Sequence, residues 1–241
     1  MDRLDNLAKW KAEMVATAAE PYRAAGRFAW HFARGKLGGD PAFAGLLQHG
    51  LIPSQARILD LGCGQGLLAA WLCAAHAMCA AGKWPRDWPP APEMAAFRGI
   101  ELMPRDVRRA RLAMPEKWVV EHGDIRTADF GQADVVVILD VLHYMDFAAQ
   151  EDVLRRVRAA LQPHGLLLLR VGDAAGGLRF RISNGVDFLA ATARGHRLGR
   201  LYCRRLSQWI DALKDLGFTV KPLPMSQGTP FANVLLVAHA G

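Results

Sequence analysis

The segment Asp60-Leu61-Gly62-Cys63-Gly64-Gln65-Gly66 joins two apolar runs, Ile58-Leu59 and Leu67-Leu68. The pattern predicts a buried strand ending in a carboxylate, then a glycine-rich turn, then the start of a helix. Glycines at 62, 64 and 66 let the backbone take conformations closed to other residues and approach a ligand closely. The helix beyond them points its unpaired N–H groups at whatever sits on the turn. Such an arrangement suits a nucleotide-type cofactor. A dinucleotide turn has the pattern G-x-G-x-x-G, but here the spacing is G-x-G-x-G with Leu at 67. Asp60, two residues before the first glycine, would repel a pyrophosphate and attract an ammonium or a sulfonium.

Asp-Leu-Gly-Cys-Gly-Gln-Gly resembles motif I of the class I S-adenosylmethionine-dependent methyltransferases, whose cofactor carries both of those cations and no phosphate. The order of the downstream segments fits the same family over residues 56–172. Ala96-Phe97-Arg98-Gly99-Ile100-Glu101-Leu102 reads as a second strand ending in an acid. The resemblance implies that Glu101 accepts both ribose hydroxyls of S-adenosyl-L-methionine and that Leu102 packs on the adenine. It gives Asp124 the adenine amino group, with Ile125 against the ring. It places Asp60, Gly62, Cys63, Gly64 and Gly66 around the cofactor, with Leu139 at the end of the fourth strand. Val141-Leu142-His143 matches a segment that family members carry near the methyl donor, which makes His143 the candidate general base. Taken singly, Glu101 reads as a solvated strand end, Asp124 as a turn former, His143 as a packed histidine and Cys63 as filler. Their shared place at the carboxyl ends of strands, where open α/β sheets bind ligands, gives them a function.

The elements that must position these residues are set by apolar periodicity. Strands are expected at Ala56–Asp60, Ala96–Leu102, Trp118–His122, Ala133–Asp140 and Leu166–Val171, the last after a turn at Gln162–Gly165. Helices are expected after Gly66, over Arg105–Ala113 and over Ser207–Leu216. Phe218–Val220 and Val234–Ala238 then resemble the antiparallel hairpin that closes a methyltransferase sheet. The expected fold is α/β: a Rossmann-like, seven-stranded, mostly parallel sheet with a C-terminal antiparallel hairpin, plus N-terminal helices. Leu4, Leu7, Trp10, Met14 and Ala18 form a helical stripe. Pro21 breaks it, a second helical run covers Tyr22–Phe32, Gly38-Gly39 is a stop, and Asp40-Pro41 restarts a short helix to Gln48. Residues 1–52 are therefore a helical extension, either padding or a lid, and 53–241 the methyltransferase domain, with 173–205 a substrate-side insertion. Ala81–Glu93, with Trp84, Trp88 and four prolines, cannot continue the preceding helix. It stretches the interval from Gly66 to Glu101 to 35 residues, against about 20 in dinucleotide folds.

Composition limits the alternatives. With 241 residues, 51% of them hydrophobic, the chain can bury a large core. Its apolar runs stop short of the ~20 residues that span a bilayer, and Met-Asp-Arg-Leu-Asp lacks the layout of a signal peptide. Four cysteines without C-x-x-C spacing argue against a zinc site or a disulfide framework, so no metal and a cytoplasmic location are expected. The net charge is +7. Arg105, Arg108, Arg109 and Arg111 form one basic group; Arg194, Arg197, Arg200, Arg204 and Arg205 form another, free of acids.

The expected reaction is methyl transfer to a small-molecule acceptor, with Tyr144, Tyr202 and His31 as weaker candidates to line or orient it. Arg179–Ser183 and Pro224–Val234 bear a faint similarity to methyltransferases of bacterial aryl-polyene pigment clusters. That similarity implies an aromatic hydroxyl or a carrier-bound aryl group, the second arginine group meeting an acidic carrier protein. A non-catalytic cofactor sensor or partner subunit is the alternative. Nucleic acid is disfavoured, because Asp140-Val141-Leu142-His143 replaces the Asn/Asp-Pro-Pro-aromatic stretch of amino-base methyltransferases. Cys63, Cys73 and Cys79 sit in the cofactor turn and first helix, where no C5-type nucleophile is expected.

Overall fold

The computed structural model describes residues 3–172, 174, 201–226 and 233–241. Its seven strands form one sheet in the order β3-β2-β1-β4-β5-β7-β6. Contacts divide the chain into two compact units, Met1–Ile125 and Arg126–Gly241.

In the first unit, β1 (Ala56–Leu61), β2 (Met94–Glu101) and β3 (Val119–His122) pair in parallel. The helix that leaves the glycine turn, Leu67–Ala80, is apolar on nearly every side and buried accordingly. Three helices precede the strands: α1 (Arg3–Ala19), α2 (Arg27–Gly39) and α3 (Pro41–Gln48). We number the Leu67–Ala80 helix α4, and α5 is Pro104–Ala113. The stripe expected on α1 holds at Trp10, Met14 and Ala18, but Leu7 is 40% exposed, so the buried face is narrower than the periodicity suggests. The run expected over Tyr22–Phe32 is divided. A 3-10 turn covers Glu20–Arg23, and α2 starts only after Gly26, whose φ of 100° a side chain would resist. That helix continues through Gly38 to Gly39. Asp40 ends it, and its carboxylate accepts the Ala42 N–H at 3.0 Å to cap α3.

The proline-rich stretch after α4 is anchored on α1. Trp10 meets Trp88 and Trp84 edge-on, with ring centroids 4.7 and 5.7 Å apart, and Trp84 meets Trp88 at 5.9 Å. Lys83 pairs with Glu13 beside them.

The second unit contains β4 (Ala133–Leu139), β5 (Leu161–Gly172), β6 (Phe218–Pro224) and β7 (Asn233–Ala240). β4 and β5 are parallel, and β7 runs antiparallel to both β5 and β6. The turn expected at 162–165 lies inside β5. Pairing jumps from Ala133↔Leu161 to Val135↔Leu166, and His164 takes φ 61° in the bulge between them. β6 runs on to Pro224, further than its apolar residues suggested. Among the described residues the unit has two α-helices, α6 (Phe147–Ala160) and α7 (Leu206–Asp215). α6 buries Val153, Leu154, Val157 and Ala160 on one face, and α7 buries Trp209 and Leu213. Among the described residues no helix is long and apolar enough to cross a membrane.

One contact fixes β1 against β2 beside the glycine turn. A Cβ built on Gly99 would stand 2.6 Å from Cys63 Sγ. Gly99→Ala is therefore expected to lose about 1–3 kcal/mol, the usual cost of overpacking. Adding Cys63→Ala should recover most of that loss, as read by urea unfolding.

Candidate functional site

The glycine turn is built as its spacing requires. Gly62, Gly64 and Gly66 have φ of 77°, 56° and 73°, all in the left-handed region. Gly62 donates its N–H to the Ile100 carbonyl at 2.8 Å, which ties the turn to β2, and Gly66 donates to the Cys63 carbonyl at 2.9 Å. A side chain at Gly66 would also strike Met114, whose Sδ is 2.8 Å from the Cβ position.

Two carboxylates stand at this turn. Asp60, 4% exposed, lies near the end of β1 opposite Gly99, and Glu101, 7% exposed, ends β2. Glu101 accepts the Gly64 N–H through Oε2 and the Met103 N–H through Oε1, both at 2.8 Å. Each oxygen keeps room for a second donor. The Asp60 carboxylate makes no hydrogen bond or ion pair among the described residues. Burial, reinforced by the nearby Glu101 charge, pushes its carboxyl up to about 8. The Cys63 thiol is raised by burial and then by Asp60 and Glu101, which favours the protonated thiol over the nucleophilic thiolate. Buried Tyr22 is raised by the same kind of surroundings, burial first and then Cys63, Cys73 and Asp60. Among the described residues no cation pairs with the carboxylates of Asp60 or Glu101, and burial holds Asp60, Cys63 and Tyr22 toward their neutral forms.

The other expected cofactor residues of this unit cluster at the same strand ends. Leu102 is 45% exposed, an apolar side chain open to a ring. The Gly123 N–H bonds the Glu101 carbonyl at 3.0 Å, so Asp124 and buried Ile125 leave β3 next to the tip of β2. Tyr22 carries no sequence signal of its role beyond being an aromatic beside the helix-breaking Pro21. Its hydroxyl donates to the Gln65 carbonyl at 2.7 Å, so the N-terminal segment braces the glycine turn directly.

Leu139 and His143 belong to the second unit, and the groups that support them were also hidden from sequence reasoning. Arg170, 2% exposed, makes a two-pronged ion pair with Asp140, its Nε donating to Oδ1 at 2.8 Å. Asp140 takes φ 59°, a left-handed conformation that Asp tolerates better than most residues. From there a 3-10 turn, Leu142–Tyr144, carries His143. Burial lowers the pKa of the imidazole, and Asp140 partly opposes the shift. The His143 ring lies 4.1 Å from that of Tyr144. Gln150, fully buried, donates from Nε2 to the carbonyls of Leu142, Met145 and Tyr202 at 2.8–3.1 Å. Tyr202 in turn donates its N–H to the His143 carbonyl at 2.9 Å.

Arg194, Arg197 and Arg200, together with Arg179–Ser183 and most of 173–205, lie outside the described residues. Arg204 is engaged within the chain: it donates to Gln150 and Glu151 at 2.8 Å and lies over the rings of Phe147 and Trp209. His31 packs against Trp30. Among the described residues no three His, Cys, Asp or Glu gather as metal ligands would.

A family described as a methyltransferase domain matches residues 29–223. The chain is 30% identical to carboxy-S-adenosyl-L-methionine synthase of Chromohalobacter salexigens over 119 residues, 47% of this chain and 39% of that one. It is 27% identical to the tetracenomycin polyketide synthesis 8-O-methyl transferase of Streptomyces glaucescens over 195 residues, 78% of this chain and 52% of that one. The chain thus spans about half or less of the length of these curated relatives. Magnesium protoporphyrin IX methyltransferase from Synechocystis PCC 6803, solved with bound SAH, superposes with TM-score 0.58 at 18% identity, covering 96% of this chain and 98% of that one. The chain belongs to the methyltransferase-domain family.

The raised Asp60 carboxyl makes stability depend on pH. Its unfolded value lies near 3.8 and its folded value at about 8, so between them the folded chain holds a proton that the unfolded chain has released. This contribution is fully present below about pH 4 and is lost as pH rises through about 8. Asp60→Asn, uncharged throughout, should therefore gain stability relative to the parent as pH rises across that window. Thermal unfolding of both ligand-free proteins in a pH series measures it.

Proposed function

We propose that this methyltransferase-domain protein binds S-adenosylmethionine on its glycine turn and transfers the methyl group to a small aromatic acceptor, at a hydroxyl. The observation that carries the reading is the carboxylate pair Asp60 and Glu101, buried at adjacent strand ends without a partner cation among the described residues. A pyrophosphate would worsen that repulsion, whereas a sulfonium with an ammonium relieves it. When bound, such a cofactor supplies a methyl carbon already activated for displacement. Glu101 is to hold the ribose through its two remaining acceptor positions. Leu102 and Ile125 are to pack on the adenine, with Asp124 accepting from its amino group. Two relatives support an oxygen acceptor through their names, the tetracenomycin 8-O-methyl transferase and an O-demethylpuromycin O-methyltransferase.

The second unit supplies the acceptor side of the proposal. Tyr144 and Phe147 are exposed by 38% and 44%, large for aromatic side chains, and Tyr202 stands edge-on to Phe147 at 5.5 Å. Aromatic surfaces of this kind suit an aryl ring. Burial lowers the pKa of His143 and so favours the neutral imidazole, the form that would take the proton from an acceptor hydroxyl. The protein's main task is alignment, since orientation alone lowers such a barrier by several kcal/mol. A carrier-bound acceptor would rest on Arg197 and Arg200, because Arg204 already serves the fold.

Calorimetry should show S-adenosylmethionine or its demethylated product binding far more tightly than NAD(H). Glu101→Ala should weaken that binding by about 1–3 kcal/mol, the worth of a charged hydrogen-bond partner. Equal affinity for NAD(H) would overturn the reading.

His143→Ala should lower turnover by roughly 10²–10⁴-fold with cofactor affinity nearly unchanged. In the parent, the acidic limb of turnover should fall below the ordinary imidazole value of 6.5, the direction that burial gives. Turnover within a few-fold of the parent would reduce His143 to packing.

A further inference from the structure

The basic group Arg105, Arg108, Arg109 and Arg111 on α5 divides between two faces of the helix. Arg109 lies over the Phe28 ring at 4.5 Å and pairs with Asp106 at 2.9 Å, and Arg105 lies 6.0 Å from the same ring. These two are turned toward α2. Arg108 and Arg111 instead line a groove of about 320 Å³, together with Pro104, Val107, Leu112 and His122. The five positions on α5 fall on one helical stripe, and His122 comes from β3, the edge strand of the sheet. None of the residues proposed to hold the cofactor lines this groove.

Two of its polar groups are held in place before any ligand arrives. Arg111 donates from Nε to the Val120 carbonyl at 2.7 Å, which fixes the guanidinium and leaves its terminal nitrogens as donors. His122 Nε2 lies 3.0 Å from the Leu102 carbonyl, which can only accept, so this nitrogen carries the proton and the ring is oriented. Arg108 makes no hydrogen bond or ion pair among the described residues. The acids of α5 and β3 do not neutralise the groove, since Asp106 pairs with Arg109 and Glu121 with Arg98. Pro104, buried Val107 and half-exposed Leu112 add apolar surface. A bare inorganic anion would leave that surface wet, and an apolar molecule would leave both guanidinium groups without an acceptor. An aromatic carboxylate answers both, because guanidinium groups grip carboxylates and also stack on rings. The volume is at the small end of the range for ligand sites, about 300–1,000 Å³. We propose that the groove between α5 and the edge strand β3 is a binding site for a small aromatic carboxylate, whose anionic end meets Arg108 and Arg111.

The test compares three probes by calorimetry on the full chain. These are 2-naphthoate, 2-naphthylmethanol, which keeps the rings without the charge, and inorganic phosphate, which has charge without rings. The naphthoate should bind saturably and at least about 10-fold more tightly than either comparison probe, as expected for hydrogen bonds to a charged group. Arg108→Gln should weaken it by about 10- to 100-fold. That variant should melt with the parent, because the side chain is exposed and glutamine suits a helix about as well as arginine. Leu112→Ser should weaken the naphthoate several-fold and leave phosphate as in the parent; it carries the comparison should Arg108→Gln fold poorly. Arg155→Gln, at an exposed arginine of α6, should change nothing. No saturable binding of the naphthoate, equal affinity for either comparison probe, an unchanged Arg108→Gln, or an equal loss in Arg155→Gln would each overturn the site. The cofactor reading stands or falls apart from this result, because its residues lie outside the groove.

Discussion

The hydrogen bond from Gly64 N–H to Glu101, 2.8 Å long, joins the turn after the first strand to the tip of the second. It can form only because the turn is left-handed at Gly62, Gly64 and Gly66. It also needs Gly99, which gives way to the Cys63 thiol beside it. The bond fixes where one carboxylate stands, and the parallel register of β1 and β2 brings Asp60 beside it. Two acids in one buried place raise each other's energy when charged. The first unit thus carries two buried carboxyl groups whose mutual repulsion a nearby cation would relieve.

A different kind of order holds the second unit's His143. Asp140 is locked by Arg170, and Gln150 gathers three carbonyls from segments far apart in sequence. These residues hold backbone in place. Such support is costly to remove, because a buried carbonyl that loses its donor keeps its full desolvation penalty. Arg204 belongs to this framework through Gln150 and Glu151, which separates it from the open cationic surface that its neighbours in sequence suggested.

Where backbone geometry restricts the residue types, the sequence is readable. Glycines at alternate positions, acids at strand ends and continuous apolar strands each have few physical explanations, so the expected strands lie within a few residues of the observed ones. Side chains whose job is tertiary are not readable. Tyr22 lies 43 positions from the carbonyl it serves, and Gln150 lies 52 from Tyr202. Nothing local marks a glutamine on an amphipathic helix as a hub. Leu7 shows the reverse failure, since an apolar residue in phase with a stripe is exposed when the neighbouring surface is small. The bulge in β5 reads as a turn because Pro163, His164 and Gly165 do break the ladder, though the strand resumes on the other side.

The three edge-on indoles of Trp10, Trp84 and Trp88 bear on how the chain tolerates shortening. Two belong to a stretch interrupting the α4-to-β2 connection and one to the first helix, so each segment gives the other's indoles an aromatic cover. Losing the interruption would strip Trp10 of that cover, and losing the helix would leave two bulky rings facing water. A chain shortened at either segment alone would therefore expose aromatic surface, so each segment's tolerance to deletion depends on the other.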